Sequence, residues 1–207
     1  MSNINEIKLN VKNTTIVAAT KYVGSDAMVN LLNHGINNFG ENRVDAFLIK
    51  YEELKGYDIT WHFIGSLQTN KVKKVINKIS YLHSLNSIKL ASFVNKYRTS
   101  PLNCFLEINL TDSTTKTGIN PSEIINVLEG IKEMENINVI GLMTMTEPLM
   151  TDEEKREVFL RLNKIKLDLN ELGYTKITEL SMGMSDDYLL AIESGATFVR
   201  LGRILFK

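Results

Sequence analysis

The sequence predicts an α/β fold, a single-domain (β/α)8 (TIM) barrel that spans residues 1–207. Three observations favour it. Eight short apolar segments alternate strictly with about seven segments of helical period, as in parallel sheets with helical crossovers. Eight such units in ~200 residues match the lower end of barrel sizes. Only three prolines occur, and no linker interrupts the series. The competing architecture is an open doubly wound sheet.

The predicted strands are short and apolar, and most lead into small or polar residues. They cover residues 16–19, 36–40, 60–65, 81–85, 103–109, 138–145, 180–183 and 197–202. The sixth strand is nearly all apolar, which is typical of a parallel strand with both faces covered. We therefore expect a buried parallel sheet with the helices packed around it.

The helices between the strands are predicted from their period and from their end signals. In the segment 44–51, apolar residues recur at i, i+3, i+4 and i+7, which indicates one buried stripe. Ser25 is expected to cap the helix after the first strand. The pattern at 151–154 is a capping box that opens a long helix. The last helix is expected to open at 185–186 and to stop at Gly195.

Composition excludes several classes of partner. Acidic and basic residues balance at 24 each, so nothing points to nucleic acid or to a membrane surface. We find neither a signal-peptide pattern nor a run of the ~18 apolar residues that a membrane span needs. The single cysteine, Cys104, cannot form an internal disulfide, which fits a reduced, cytoplasmic location. His34, His62 and His83 lack metal-ligand spacing and are interpreted as structural, and a monomer is the default.

The segment 179–206 has the pattern of a phosphate site. One predicted strand ends in SMGMS at 181–185 and the next in RLGR at 200–203. Glycine lets the backbone approach an anion closely, and a helix N-terminus offers unpaired N–H groups. In (β/α)8 barrels a phosphate pocket often follows strands seven and eight. The alternative is two ordinary turns and a helix cap, which Gly and Ser also favour.

Lys21 directly follows the first predicted strand and is the leading candidate for chemistry. At the end of an apolar strand it would be partly desolvated, which favours the neutral amine that attacks an aldehyde. The alternative is an ordinary solvated lysine. Because the first strand of a closed barrel neighbours the eighth, we expect Lys21 and the phosphate pattern to share the mouth, the end of the barrel where the strands finish. The other residues expected at the mouth are Asn42, Ser66, Asn109, Thr144, Ser181 and Arg200.

A ligand with an aldehyde at one side and a phosphate at the other would bridge these groups, and pyridoxal 5'-phosphate is such a ligand. Arg200 is placed to reach its pyridine nitrogen, while Ser181 and turn amides hold its phosphate. Because arginine keeps its proton, the ring nitrogen would stay unprotonated and the cofactor would be a weak electron sink. Without the cofactor, an ion pair at a strand end explains Arg200 equally well.

Eight motifs are spread over nearly the whole chain. They are VAATK at 17–21, NFGEN at 38–42, WHFIGSLQTNK at 61–71, LHSLNS at 82–87, EINLTDSTTKTGI at 107–119, GLMTM at 141–145, LSMGMSDDYLLAI at 180–192 and VRLGR at 199–203. Each motif alone is modest. Together, in this order, they make the chain similar to the pyridoxal phosphate homeostasis protein family.

This resemblance implies a barrel similar to the N-terminal domain of alanine racemase, with pyridoxal 5'-phosphate held as a Schiff base on Lys21. Arg203 stands where many relatives have Thr or Ser, so either its guanidinium or only its backbone N–H would contact the phosphate. The cofactor-binding residues that the resemblance implies are Lys21, Asn42, Ser181, Arg200, Gly202 and Arg203.

Members of that family are regarded as carriers or regulators that keep free pyridoxal phosphate low. The resemblance thus implies cofactor homeostasis, delivery to pyridoxal-phosphate-dependent apoenzymes, and no robust turnover of a substrate. Two enzymatic alternatives stay open, a racemase of this fold and a lyase that joins Lys21 to a phosphosugar. We expect a binding protein because Arg200 weakens the electron sink on which a racemase depends.

Overall fold

The computed structural model describes residues 2–111 and 117–206. Within them the strands form one closed parallel barrel, each strand pairing with the next and the last with the first. The strands are β1 Thr15–Ala19, β2 Asn38–Glu41, β3 Thr60–Phe63, β4 Tyr81–Leu85, β5 Leu102–Glu107, β6 Ile137–Met143, β7 Glu179–Met184 and β8 Phe198–Leu201. The predicted barrel is confirmed and the open sheet is wrong. Residues 112–116 of the motif at 107–119 lie outside the described residues.

The first helix precedes β1, and the other helices lie in the connections between the strands. They are α1 Ser2–Val11, α2 Ser25–Asn33, α3 Val44–Glu53, α4 Val72–Val75, α5 Ile88–Tyr97, α6 Ile124–Ile131, α7 Asp152–Glu171 and α8 Tyr188–Glu193. Short 3-10 turns occupy Thr69–Lys71, Pro121–Glu123 and Arg203–Leu205. Consecutive strands are thus joined by crossovers, as parallel pairing requires.

One helix-start signal is confirmed and two are wrong. At α7, Thr151 Oγ1 accepts from the Glu154 N–H and the Glu154 carboxylate accepts from the Thr151 N–H, the reciprocal bonds of a capping box. Ser25 does not cap α2, because Gly24 is the N-cap and the Ser25 hydroxyl donates to Glu53. The chain at 185–187 forms a turn, and α8 begins only afterwards.

The core has two layers, one between barrel and helices and one inside the barrel. Along β3, Trp61 belongs to the outer layer, where its ring meets Phe47 of α3 edge-on at 5.2 Å between centroids. His62, the next residue, faces the interior, since successive side chains of a strand point to opposite faces. The apolar residues buried inside the barrel are Val17, Phe105, Met143 and Phe198. The interior therefore carries polar groups among a small apolar cluster.

Two absences and one buried thiol can be stated for the described residues. No helix among them combines the length and the apolar character needed to cross a membrane. They also contain no group of three or more His, Cys, Asp or Glu side chains arranged to hold a metal ion. Cys104 is buried in β5, and burial raises the pKa of its thiol to about 12. Such a thiol is inert at neutral pH.

Candidate functional site

Strand pairing on both sides of β1 places Lys21 at the mouth. On one side β8 pairs with β1, and a Cβ added to Gly202, which follows β8, would lie 3.6 Å from the Ala19 carbonyl oxygen. On the other side the Thr20 N–H donates to the Gly40 carbonyl at 3.1 Å. Lys21 therefore emerges between the exit of β8 and the exit of β2.

The Lys21 side chain is exposed, and its Nζ lies 4.9 Å from the centroid of the Tyr22 ring. The expected desolvation is wrong. The reason is that β1 ends at Ala19. The next residue, Thr20, is still buried, but Lys21 already lies in the turn that follows. The amine is consequently accessible to a ligand at the mouth.

A buried polar cluster holds the residue that precedes Lys21. Lys50 Nζ donates to the Thr20 carbonyl at 2.6 Å and to Glu41 Oε1 at 2.5 Å. The Thr20 hydroxyl donates to the same Glu41 oxygen at 2.5 Å. Glu41 Oε2 is buried without a hydrogen-bond partner among the described residues. Sequence reasoning missed this cluster, although Lys50 lies three residues after Phe47, on the buried stripe of α3.

Arg200 is buried in β8, with 5% of its surface exposed. Its Nη1 donates to Ser181 Oγ at 2.6 Å and its Nη2 to the Thr144 carbonyl at 2.9 Å. Burial lowers the pKa of Arg200 to about 10, and the charges of Asp187 and Glu107 oppose that shift. The guanidinium thus stays protonated at neutral pH. It has five N–H donors, and these two bonds leave donor capacity for a ligand.

The two serines of the SMGMS motif differ in position. Ser181 is fully buried, and its hydroxyl already lies between Arg200 and His83 Nδ1, the latter at 2.8 Å. The Gly202 N–H instead donates to Ser185 Oγ at 3.1 Å. The expected grouping of Ser181 with Gly202 is therefore not found, because Ser181 faces the barrel interior and Ser185 lies in the turn beyond β7. The position of the strand end, not the motif, decides which serine is accessible.

Arg203 directly follows Gly202 and begins the last 3-10 turn. Its side chain is 67% exposed, and its guanidinium forms an ion pair with the Asp186 carboxylate. The Arg203 guanidinium thus already has an anionic partner, whereas its role toward a phosphate stays a prediction.

Asn42 follows β2 and is half-buried at the mouth. A Cβ added to Gly65 would lie 2.3 Å from the Asn42 carbonyl oxygen, so only glycine allows the exit of β3 to pack this closely. Asn42 and Ser66 line one cleft there, together with Arg43 and Lys71. Of the expected mouth residues, Arg200, Ser181 and Thr144 are thus in direct contact, and Asn42 and Ser66 form a second group.

Glu107 at the end of β5 is a further buried group that sequence reasoning missed. Its Oε1 accepts from the Thr117 hydroxyl at 2.7 Å, while Oε2 is buried without a hydrogen-bond partner among the described residues. Burial raises the pKa of Glu107, whereas the Thr117 hydrogen bond and the charge of Arg200 act against that shift. Its only sequence signal was a carboxylate at the end of an apolar strand.

Comparison with known proteins gives consistent matches. A family model described as the alanine racemase N-terminal domain matches residues 1–207. The pyridoxal phosphate homeostasis protein of Aquifex aeolicus (strain VF5) is 39% identical over 194 residues, covering 92% of this chain and 85% of that protein. PipY of Synechococcus elongatus PCC7942, solved with PLP bound, has a TM-score of 0.93 at 27% identity, covering 100% of this chain and 99% of that one. The alanine racemase of Clostridium difficile 630, with a TM-score of 0.75, 19% identity and coverage of 99% and 55%, shows likeness of fold alone.

Proposed function

Because the chain belongs to the pyridoxal phosphate homeostasis protein family, built on the alanine racemase N-terminal domain, we propose that it binds pyridoxal 5'-phosphate at the mouth of its barrel. The observation that carries this proposal is the pairing of β1 with β8, which sets Lys21 beside Gly202 above the buried Arg200. Residues 1–207 act in this proposal as one cofactor-binding domain.

The side chains at the mouth fit the three parts of the cofactor. The exposed Lys21 amine is accessible to its aldehyde, to which Nζ bonds as a Schiff base with release of water. Arg200 has donors left for the ring nitrogen, and Asn42 flanks the ring. When bound, the cofactor supplies a reactive aldehyde and an electron-accepting ring.

The phosphate would lie at the exits of β7 and β8. The Gly202 N–H and Ser185 Oγ already face each other there at 3.1 Å, and the Arg203 N–H opens the next turn. Backbone amides at a glycine turn are common anion ligands. We therefore assign the phosphate to Gly202, Arg203 and Ser185, and we place Ser181 behind Arg200 rather than on the phosphate.

The proposed role is to hold and deliver the cofactor inside the cytoplasm, as a monomer, without a substrate reaction of its own. Since Arg200 is protonated at neutral pH, it donates a hydrogen bond to the ring nitrogen but does not transfer a proton to it. An unprotonated ring withdraws electrons weakly, which disfavours racemisation or decarboxylation. Pyridoxal-phosphate-dependent apoenzymes are the recipients that this role requires.

The binding proposal is tested by absorption spectroscopy. Wild-type protein mixed with pyridoxal 5'-phosphate and then separated from free cofactor by gel filtration should be yellow, and borohydride should bleach it and fix the cofactor on the peptide that contains Lys21. Lys21→Ala should stay colourless, while Lys164→Ala, which changes a lysine on the exposed face of α7, should behave like wild type. Equal colour in the Lys21 variant would refute the assignment of the amine.

The carrier role is tested separately on the cofactor-loaded protein. Incubated with L-alanine and followed by chiral chromatography, it should show no racemisation near 1 s⁻¹, the low end of typical enzyme rates. Mixed with an aminotransferase apoenzyme, it should restore that enzyme's activity. Steady racemisation at this rate would refute the carrier role and leave cofactor binding intact.

A further inference from the structure

A chain of hydrogen bonds crosses the interior of the barrel and ends at Arg200. Starting at β2, Asn38 Oδ1 lies 2.9 Å from His62 Nε2, and His62 Nδ1 lies 2.9 Å from His83 Nε2. His83 Nδ1 then lies 2.8 Å from Ser181 Oγ, which accepts from Arg200 Nη1 at 2.6 Å. The chain links five strands, β2, β3, β4, β7 and β8, and every member after Asn38 is buried. We call these five side chains the interior relay.

The direction of the relay is fixed at its β2 end. Asn38 Nδ2 donates to Asn37 Oδ1 at 3.1 Å, so its carbonyl oxygen faces His62. An amide oxygen only accepts, and His62 must therefore carry its proton on Nε2. His62 Nδ1 is then an acceptor, which requires that His83 donate from its own Nε2.

The other end of the relay is compatible with the same direction. Arginine has only donors, so Ser181 Oγ accepts from Arg200. His83, whose proton is on Nε2, accepts at Nδ1, so Ser181 must donate its single hydroxyl proton there. Every group thus donates to the next one, from Arg200 down to Asn38. Bonds that run in one direction polarise one another and are strengthened cooperatively.

Both histidines are in the form that this direction requires. Burial lowers the pKa of His62 to about 3, and burial, with the charges of His62 and Arg200, lowers the pKa of His83 well below its usual value. Each imidazole is thus neutral at physiological pH, with one donor and one acceptor nitrogen. Their rings are also held by stacking, His62 on Tyr81 at 4.5 Å and His83 on Phe105 at 4.4 Å between centroids.

We infer that His83, supported by His62, is a positioning residue for Arg200. By accepting the Ser181 proton, His83 turns the lone pairs of that hydroxyl toward the guanidinium, which fixes where the remaining Arg200 donors point. The consequence for the ligand rests on the proposed function, in which those donors face the ring nitrogen of pyridoxal 5'-phosphate. A purely structural role would need only the stacked ring and its volume.

The direction is tested first on the protein without added cofactor. Nitrogen-15 NMR of the histidines should show His62 and His83 as Nε2–H tautomers. His34 should give the opposite, Nδ1–H tautomer, since its Nδ1 lies 2.8 Å from the Asn30 carbonyl oxygen, and so serves as an internal reference. An Nδ1–H tautomer at His62 or His83 would overturn the relay. This result does not depend on whether the cofactor binds.

The positioning role is tested with two isosteric variants of His83. His83→Asn keeps an acceptor at the place of Nδ1, toward Ser181, and loses the donor to His62. His83→Gln keeps a donor at the place of Nε2 and loses the acceptor. We expect His83→Gln to weaken cofactor binding about tenfold, the scale of one hydrogen bond to a charged group, and to change the absorption maximum of the bound cofactor, whereas His83→Asn should retain both.

Thermal melting of both variants separates positioning from folding. If binding and spectrum change equally in His83→Asn and His83→Gln, in proportion to their loss of melting temperature, the role is structural and the inference fails. An unchanged spectrum in both variants would also overturn it. Wild-type protein that forms no coloured complex would instead refute the proposed function, and the tautomers would still decide the relay.

Discussion

Lys50 Nζ lies 2.5 Å from Glu41 Oε1 in a buried ion pair, and both side chains hydrogen-bond Thr20, the residue before Lys21. The pair therefore fixes the backbone from which the proposed cofactor lysine emerges. An exposed amine on a firmly held backbone combines access for a ligand with a defined starting position. The cluster is also a source of stability that can be measured.

Lys50→Met should destabilise the protein strongly. The substitution keeps a long apolar stem but leaves the Glu41 carboxylate buried without its cation, which costs about 3–5 kcal/mol for buried pairs in general. Urea denaturation measures this loss. The double variant Glu41→Gln/Lys50→Met removes both charges and should regain much of it. As a control, Lys164→Met breaks an exposed pair with Asp168 and should leave the midpoint nearly unchanged; equal midpoints for the two single variants would contradict the prediction.

The stability of the protein should fall as the pH drops below about 6.5. An unfolded histidine takes up a proton there, whereas burial lowers the pKa of native His62 to about 3. Between these pH values the unfolded state binds more protons than the native state does. Because of His62, the free energy of unfolding therefore falls by up to about 1.4 kcal/mol for each pH unit below about 6.5. Glu107, whose pKa burial raises, acts in the opposite direction.

A variant isolates the contribution of His62 to this pH dependence. His62→Gln lowers stability at every pH, but its free energy of unfolding should depend less steeply on pH than that of wild type between about pH 5 and 6.5. Urea midpoints at several pH values give both slopes. Parallel slopes would show that His62 is protonated in the native state over this range.

Gly65→Ala should distort the mouth. The added methyl group would lie 2.3 Å from the Asn42 carbonyl oxygen, and because that atom belongs to the backbone, it cannot move aside cheaply. Overpacking of this kind costs about 1–3 kcal/mol or more, and displaced Asn42 should also weaken cofactor binding. Gly24→Ala is the matched control, since nothing lies within 4 Å of its added methyl group. Similar stability of the two variants would argue against close packing at Gly65.

Ser185→Ala should weaken binding of pyridoxal 5'-phosphate about tenfold and leave binding of pyridoxal, which lacks the phosphate, unchanged. The reason is that Ser185 Oγ meets the Gly202 N–H where the phosphate is proposed to lie, and a hydrogen bond to a charged group is worth about 1.5–3 kcal/mol. Ser181→Ala should affect both ligands alike, because Ser181 acts through Arg200. If only Ser181→Ala removes the preference for the phosphorylated ligand, Ser181 contacts the phosphate and our assignment of Ser185 is wrong. Fluorescence titration measures all four affinities.

The fold was predictable from the sequence because its signals are local. Apolar periodicity and capping residues identified every strand and the start of α7, and ring closure alone set Lys21 beside Gly202. The contacts inside the barrel were not predictable. His62 and His83 were interpreted as structural, but their 2.9 Å contact depends on how β3 and β4 are aligned.

Lys50 and Ser181 illustrate why the site was only partly predictable. A lysine on a helix is usually solvated, and only the tertiary position of Glu41 makes Lys50 a buried partner. Ser181 was assigned to the phosphate because the motif contains it, yet β7 continues to Met184 and turns Ser181 inward. Both cases concern where a side chain points, which depends on long-range packing rather than on neighbouring residues.

The bond from Thr14 Oγ1 to the Ala196 carbonyl spans 182 residues of sequence beside the seam between β1 and β8. Contacts this distant in sequence form late, since the entropy of a long loop must be overcome first. A polypeptide in which β8 has not yet paired with β1 would therefore have the Lys21 amine but not the turn at Gly202 and Arg203 beside it. If the proposed function is right, the ligand could bind only after β8 has paired with β1, so ligand binding would report that the barrel has closed.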